Sequence, residues 1–187
     1  MKIEYDLTSE DKLTQEVKSL GIHSWNELTE FIKRLPYGRN KNRTDVGLVL
    51  SENKGSCSSK HAFLKRIADL NNIPNVKLVL GLYRMNNTNT PGIGDTLERN
   101  SLNYIPEAHC YLIVEDKRTD VTTSDSEFAR IEKDIILEKE IEPEQVDSFK
   151  VEYHKTFMRT WIEQQKLDFS FDEIWTIREQ CIENLSE

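Results

Sequence analysis

The chain has little of what builds extracellular scaffolds or membrane spans. It has three cysteines, Cys57, Cys110 and Cys181, an odd count at irregular spacing. That argues against a disulfide framework and for free thiols in a reducing, cytoplasmic setting. Seven glycines and five prolines, with no internal repeat and no low-complexity tract, exclude a collagen-like or linker-rich chain. No apolar run reaches the length of a membrane span, and the opening MKIEYDLTSEDK has no apolar signal core, so neither insertion nor secretion is expected. Positive charge is in deficit, 25 Lys and Arg against 33 Asp and Glu, a net charge of -8. A field of that sign repels phosphate backbones and anionic lipid, and the basic run from Lys33 to Arg43 reads as a solvated loop. Nucleic acid and membrane are therefore not the expected partners.

What is present is an ordinary globular composition, 37% hydrophobic and 31% charged over 187 residues, enough for a single domain spanning 1–187. Leu13, Val17 and Leu20 recur at helical spacing after Thr8 and Ser9, with Gly21 as a stop. Ser24 and Glu27 form a capping box ahead of the stripe Leu28, Phe31, Ile32 and Leu35, which Pro36 and Gly38 end. Val46 to Leu50 is compatible with a short strand or a helical turn. Ser56 then caps a helix running to about Asn71, whose buried face is Phe63, Leu64, Ile67, Ala68 and Leu70. Val76 to Tyr83, Ala108 to Val114 and Arg118 to Thr123 read as strands, the last two joined through Glu115 to Lys117. The stretch 84–107 is a long polar connection, of the length that forms lids or binding loops. Residues 143–187 return to helix, with Val146, Phe149, Tyr153, Phe157 and Trp161 on one face and a second capping box at Ser170 and Glu173. The fold class is α+β, a small and mostly antiparallel sheet flanked by amino- and carboxy-terminal helices.

The chemistry-bearing candidates lie in the middle of the chain. Cys57 falls in the first turn of its helix, where unpaired N–H groups and the helix dipole stabilise a thiolate, and its own N–H is a candidate oxyanion donor. Strand alternation places His109 on the face opposite Ala108, Cys110 and Leu112, where a general base for Cys57 can stand. A hairpin closing through Glu115 and Asp116 puts Asp120 nearly opposite Tyr111 and diagonal to His109, positioned to orient the imidazole; Asp116 and Asp125 are the alternatives. His61 reads as a surface residue or as a support to Cys57.

At these residues the chain resembles the transglutaminase-like superfamily. The block GSCSSKHAFLKRIADLNNIPNVKLVLGLY, Gly55 to Tyr83, is similar to its cysteine helix and following strand. The block AHCYLIVEDKRTDVT, Ala108 to Thr123, is similar to its histidine strand and the Asp beyond it. The resemblance implies a transglutaminase-like or papain-like core over 55–123 and acyl-transfer chemistry by Cys57, His109 and Asp120. The expected substrate is a peptide, protein or small amide, and no cofactor is implied. Tyr37 and Asn53 are candidates for the oxyanion or substrate contact. Two rival readings remain: an inactive transglutaminase-like binding module that uses the loop 84–107, and a metal site in which Cys57 and His61, at i and i+4, combine with His109 and Cys110.

Overall fold

A computed structural model describes residues 4–185. Among these, seven α-helices and four strands appear: α1 Lys12–Ser19, α2 Trp25–Arg34, α3 Leu48–Ser51, α4 Cys57–Leu70, β1 Val76–Met85, α5 Thr96–Arg99, β2 Ile105–Val114, β3 Lys117–Thr119, β4 Ile135–Ile141, α6 Ser148–Gln165 and α7 Phe171–Asn184. The strands form a small antiparallel sheet in the order β3-β2-β1-β4. The chain divides into two interleaved units, each described by itself. The first comprises residues 1–79, 110–127 and 140–147, and the second 80–109, 128–139 and 148–187.

In the first unit, local signals set the helices. Asp11, not Thr8 or Ser9, caps α1: its carboxylate accepts the N–H groups of Leu13 at 2.8 Å and Thr14 at 3.1 Å. The buried side chains of α1 are Thr14 and Val17, whereas Leu20, expected on that stripe, is 54% exposed. The capping box of Ser24 and Glu27 opens α2 as the pattern predicts, and Trp25, Leu28 and Ile32 are buried along it. The ambiguous run at 46–50 resolves as the short helix α3.

Helix α4 is the centre of this unit and packs against α1, α2, α3 and the 3-10 turn Pro143–Val146. Its Phe63, Leu64, Ile67 and Ala68 are fully shielded from solvent. Asn71 closes its carboxy end, donating to Thr14 Oγ1 at 3.0 Å and the Ile67 carbonyl at 2.9 Å while accepting from Ser9 N–H. A side-chain amide thereby joins α4 to the start of α1, satisfying a helix end that burial would leave unpaired.

The β2–β3 hairpin closes as the sequence indicates, with Val114 opposite Lys117 and Leu112 opposite Thr119. Glu115 and Asp116 both take positive φ, 48° and 63°, the left-handed pair of a two-residue turn whose twist matches its strands. The ladder, however, ends at Thr119. The expected strand Arg118–Thr123 is thus shorter, and Asp120 lies just beyond it.

In the second unit, the polar connection is not wholly irregular, since α5 forms within it. Helix α5 packs on α7, and Asn184 Nδ2 donates to the Ile93 carbonyl at 2.7 Å. Strand β4 is absent from the sequence reading, and the expected strand at 108 begins three residues earlier. Of the stripe expected over 146–161, Val146 and Trp161 are buried, while Phe149, Tyr153 and Phe157 are half-buried and the other buried residues of α6 are His154 and Met158. Helix α7 opens on the expected capping box of Ser170 and Glu173, and Ile174, Ile177, Cys181 and Ile182 are buried along it.

Because Leu64 is fully enclosed at the centre of α4, Leu64→Ala should cost about 2–5 kcal/mol of unfolding free energy. Urea denaturation measures this, and a loss below about 1 kcal/mol would show that α4 is not the core of its unit.

Candidate functional site

Cys57 is the first residue of α4. Ser56 and Ser59 cap the helix reciprocally: Ser56 Oγ accepts the Ser59 N–H, and Ser59 Oγ accepts the Ser56 N–H at 2.9 Å. The thiol therefore sits at the positive end of a fourteen-residue dipole, and it is partly exposed, whereas Cys110 and Cys181 are buried. Immediately upstream, Gly55 is pinned in both directions, its N–H donating to the Pro36 carbonyl at 3.1 Å and its carbonyl accepting from Gly38 at 3.2 Å. A side chain at Gly55 would put its Cβ 2.8 Å from Lys60 Cγ, so only glycine leaves room for that lysine stem.

The two residues that follow the cap, Lys60 and His61, are both fully buried. The ammonium of Lys60 donates to the Leu35 carbonyl at 2.6 Å and to the Thr122 carbonyl at 2.7 Å. Burial pushes its pKa down to about 8, and the negative charge of Asp120 works in the other direction. His61 is likewise not a surface residue. Its Nε2 accepts the Val121 N–H at 2.9 Å, so Nδ1 carries the hydrogen and donates to the Cys57 carbonyl at 2.7 Å. This fixes the neutral tautomer. His61 Nε2 is 3.7 Å from Asp120 Oδ1, within electrostatic reach of the carboxylate but too far for a hydrogen bond.

Asp120 and Cys57 thus lie at opposite nitrogens of one ring, in one unit. The Asp120 side chain is 8% exposed and accepts at Oδ1 from the Thr122 N–H at 2.9 Å and hydroxyl at 2.6 Å. The alternatives Asp116 and Asp125 are exposed. Tyr37 is half-buried and bridges to Gly55, while Asn53 is exposed in a left-handed turn. Sequence reasoning missed Asn40, a buried amide that donates to the Leu48 and Lys54 carbonyls and to Glu52, shaping the loop that leads to Cys57. It also missed the buried role of Lys60, for which the tight Gly55 was the available signal.

His109 belongs to the second unit, in β2, half-buried and edge-on to the Tyr83 ring at 6.2 Å. Two residues earlier on the same strand face, Glu107 is buried and paired with Arg178 of α7, at 2.7 Å to Nε. Burial alone would raise the Glu107 carboxyl, but the Arg178 guanidinium and then His154 outweigh it and hold it at about 2. His154 itself is buried, with Nε2 donating to the Pro106 carbonyl at 2.8 Å, and burial lowers its pKa. Burial, and then the charge of Glu107, push the Cys181 thiol up to about 11, away from the thiolate form. This unit also holds a cavity of about 680 Å³ lined by Asn86, Asn87, Ser101, Asn103, Lys133 and Asp134 among others, most of them from the long connection.

No group of three or more metal-ligating side chains occurs among the described residues, and both ring nitrogens of His61 are engaged by the backbone. No described helix is long and apolar enough to cross a membrane. No family model matches the chain, and no curated protein or solved structure shows significant similarity to it.

The Glu107–Arg178 pair gives stability a defined pH dependence. The folded carboxyl titrates near 2 against an ordinary 4.5, so its contribution is full above about pH 5 and is lost as pH falls from 4.5 towards 2. Glu107→Gln should cost on the order of 3 kcal/mol at pH 7, the low end for a broken buried pair, because the guanidinium keeps only Glu179, at 2.6 Å from Nη1, as its carboxylate partner. Its stability gap from the wild type should narrow over that acid window in denaturant titrations; a gap constant from pH 6 to 3 would reduce Glu107 to a packing role.

Proposed function

We propose that this chain is a cysteine-dependent hydrolase or acyltransferase acting on a peptide, protein or small amide, with Cys57 as nucleophile, His109 as acid-base and Asp120 as the group that orients His109. The placement of Cys57 carries the reading: of the three thiols it alone combines partial exposure with a capped helix start. The similarity of Gly55 to Tyr83 and Ala108 to Thr123 to the transglutaminase-like superfamily supports it, as does the burial of Asp120 next to the cation of Lys60.

In this chemistry the Cys57 thiolate adds to the amide carbon, and the developing oxyanion takes the backbone N–H of the helix start. Collapse breaks the C–N bond as His109 gives its proton to the leaving amine. The thioester is then attacked by water or by a second amine, His109 takes the proton, and the thiolate returns. Asp120 stabilises the imidazolium through both steps.

The polar cavity of the second unit favours a second reading, an inactive module that binds a hydrogen-bonding ligand through the connection 84–107. Alkylation with iodoacetamide followed by peptide mapping separates the two. The enzyme reading expects Cys57 to react at least about tenfold faster than Cys110 or Cys181, with an apparent thiol pKa below the roughly 8.5 of a free cysteine. It also expects His109→Ala to slow the reaction at neutral pH. Equally slow labelling of all three thiols would sink the nucleophile and leave the binding reading.

A further inference from the structure

We infer that Lys60 and His61 are positioning residues that hold the Asp120 carboxylate in register with the Cys57 turn, an inference that rests on the proposed Cys57, His109 and Asp120 site. The problem they solve is visible in the hairpin. The β2–β3 ladder ends at Thr119, so sheet pairing does not fix Asp120, the next residue. Helix α4 fixes it instead. His61 takes the N–H of Val121 and Lys60 takes the carbonyl of Thr122, two consecutive residues whose backbone sets where Asp120 stands. Thr122 completes the hold by donating both its N–H and its hydroxyl to Asp120 Oδ1.

The other ends of the same side chains reach the nucleophile's turn. The His61 ring donates to the Cys57 carbonyl, and the Lys60 stem runs over Gly55, two residues before Cys57, to the Leu35 carbonyl. One contiguous pentapeptide of α4, Cys57 to His61 with its cap, therefore carries the thiol and grips the carboxylate segment. A purely structural core needs no such arrangement. An ammonium and an imidazole lose hydration on burial, and apolar residues of similar volume fill a core at lower cost. What the polar pair supplies, and apolar packing does not, is a fixed hydrogen-bond register together with a positive charge close to Asp120. Lys60 itself has no part in bond-making: it is fully buried with its donors on two backbone carbonyls.

The test is the pH profile of Cys57 alkylation by iodoacetamide on the full chain, in the wild type, Lys60→Met, His61→Phe, Thr122→Val, Asp120→Ala and the Lys60→Met/Asp120→Ala double variant. Positioning expects each single variant to raise the apparent thiol pKa by about one unit, the scale of losing a nearby charge. It expects the double variant to rise no further than Asp120→Ala alone. A wild-type profile in Lys60→Met and Thr122→Val overturns the inference, as does an additive rise in the double variant, which would mean that the Lys60 charge acts on the thiolate directly. Thr122→Val keeps both the volume and the carbonyl that Lys60 holds, so it decides the matter where the Lys60 or His61 variants do not fold. The two levels fail differently. A profile depressed in the wild type and altered only by Asp120→Ala refutes positioning alone, while an ordinary free-thiol profile in the wild type and Asp120→Ala alike refutes the proposed site and this inference with it.

Discussion

The buried ammonium of Lys60 is the constraint on which the first unit depends. It joins the end of α2, through the Leu35 carbonyl, to the segment that follows β3, through Thr122, and does so from the second turn of α4. Those carbonyls lie where no helix or strand partner reaches them, and an unpaired buried carbonyl costs as much as a lost hydrogen bond. The requirement propagates outward. The lysine stem needs clearance, so position 55 is glycine. The ammonium needs a counter-charge in a place water does not fill, and Asp120 supplies it. Depression of the Lys60 pKa to about 8 shows that desolvation still exceeds this compensation, as expected for a cation with carbonyls rather than carboxylates as direct partners.

The second unit uses the opposite balance. Glu107 and Arg178 meet directly, so attraction outweighs burial for both: the carboxyl is held low, and the guanidinium, which burial alone would lower, is raised. Arg178 also lies 5.3 Å over the Trp175 ring of the same helix, and the His154 ring of α6 is the same distance from it. The half-buried aromatics of this unit find partners near solvent, Phe171 beneath Arg159 at 4.1 Å and Phe149 stacked on Tyr153 at 5.8 Å. A planar ring under a cation is stable at partial exposure, which is why the aromatic stripe of α6 is not its buried stripe.

That difference marks the boundary of what the residues reveal on their own. Features set within a few positions were legible: the capping boxes at Ser24 and Ser170, the helix start at Ser56 and Cys57, and the turn at Glu115 and Asp116. Each is decided by local backbone geometry. Features decided by distant partners were not. Strand β4 reads IILEKEI with four consecutive exposed residues, so it carries no alternation to detect. Asp120 falls outside the ladder although the turn was placed correctly, because strand length depends on what competes for the backbone, here α4. Lys60 and His61 look like surface residues in a helical pattern, since the pattern counts hydrophobicity and their burial is secured by hydrogen bonds.

The tautomer of His61 bears on which histidine can serve Cys57. His61 is the nearest in sequence, four residues along the same helix, yet both of its nitrogens are held by backbone groups, one donating and one accepting. Using Nε2 as a base would require giving up the Val121 N–H inside a buried site, which costs the desolvation of that donor. His154 is enclosed among Glu107, Arg178 and Trp175, and its Nε2 is on the Pro106 carbonyl. His23 is exposed at the cap of α2, where Glu27 holds its backbone. His109 is neither surface-exposed nor sealed in a core: its ring is half-buried and edge-on to Tyr83. The sequence distance that makes Cys57 and His61 look like a pair is therefore misleading: the helix neighbour is committed to the backbone at both nitrogens, one on the Cys57 carbonyl and one on the segment that follows Asp120.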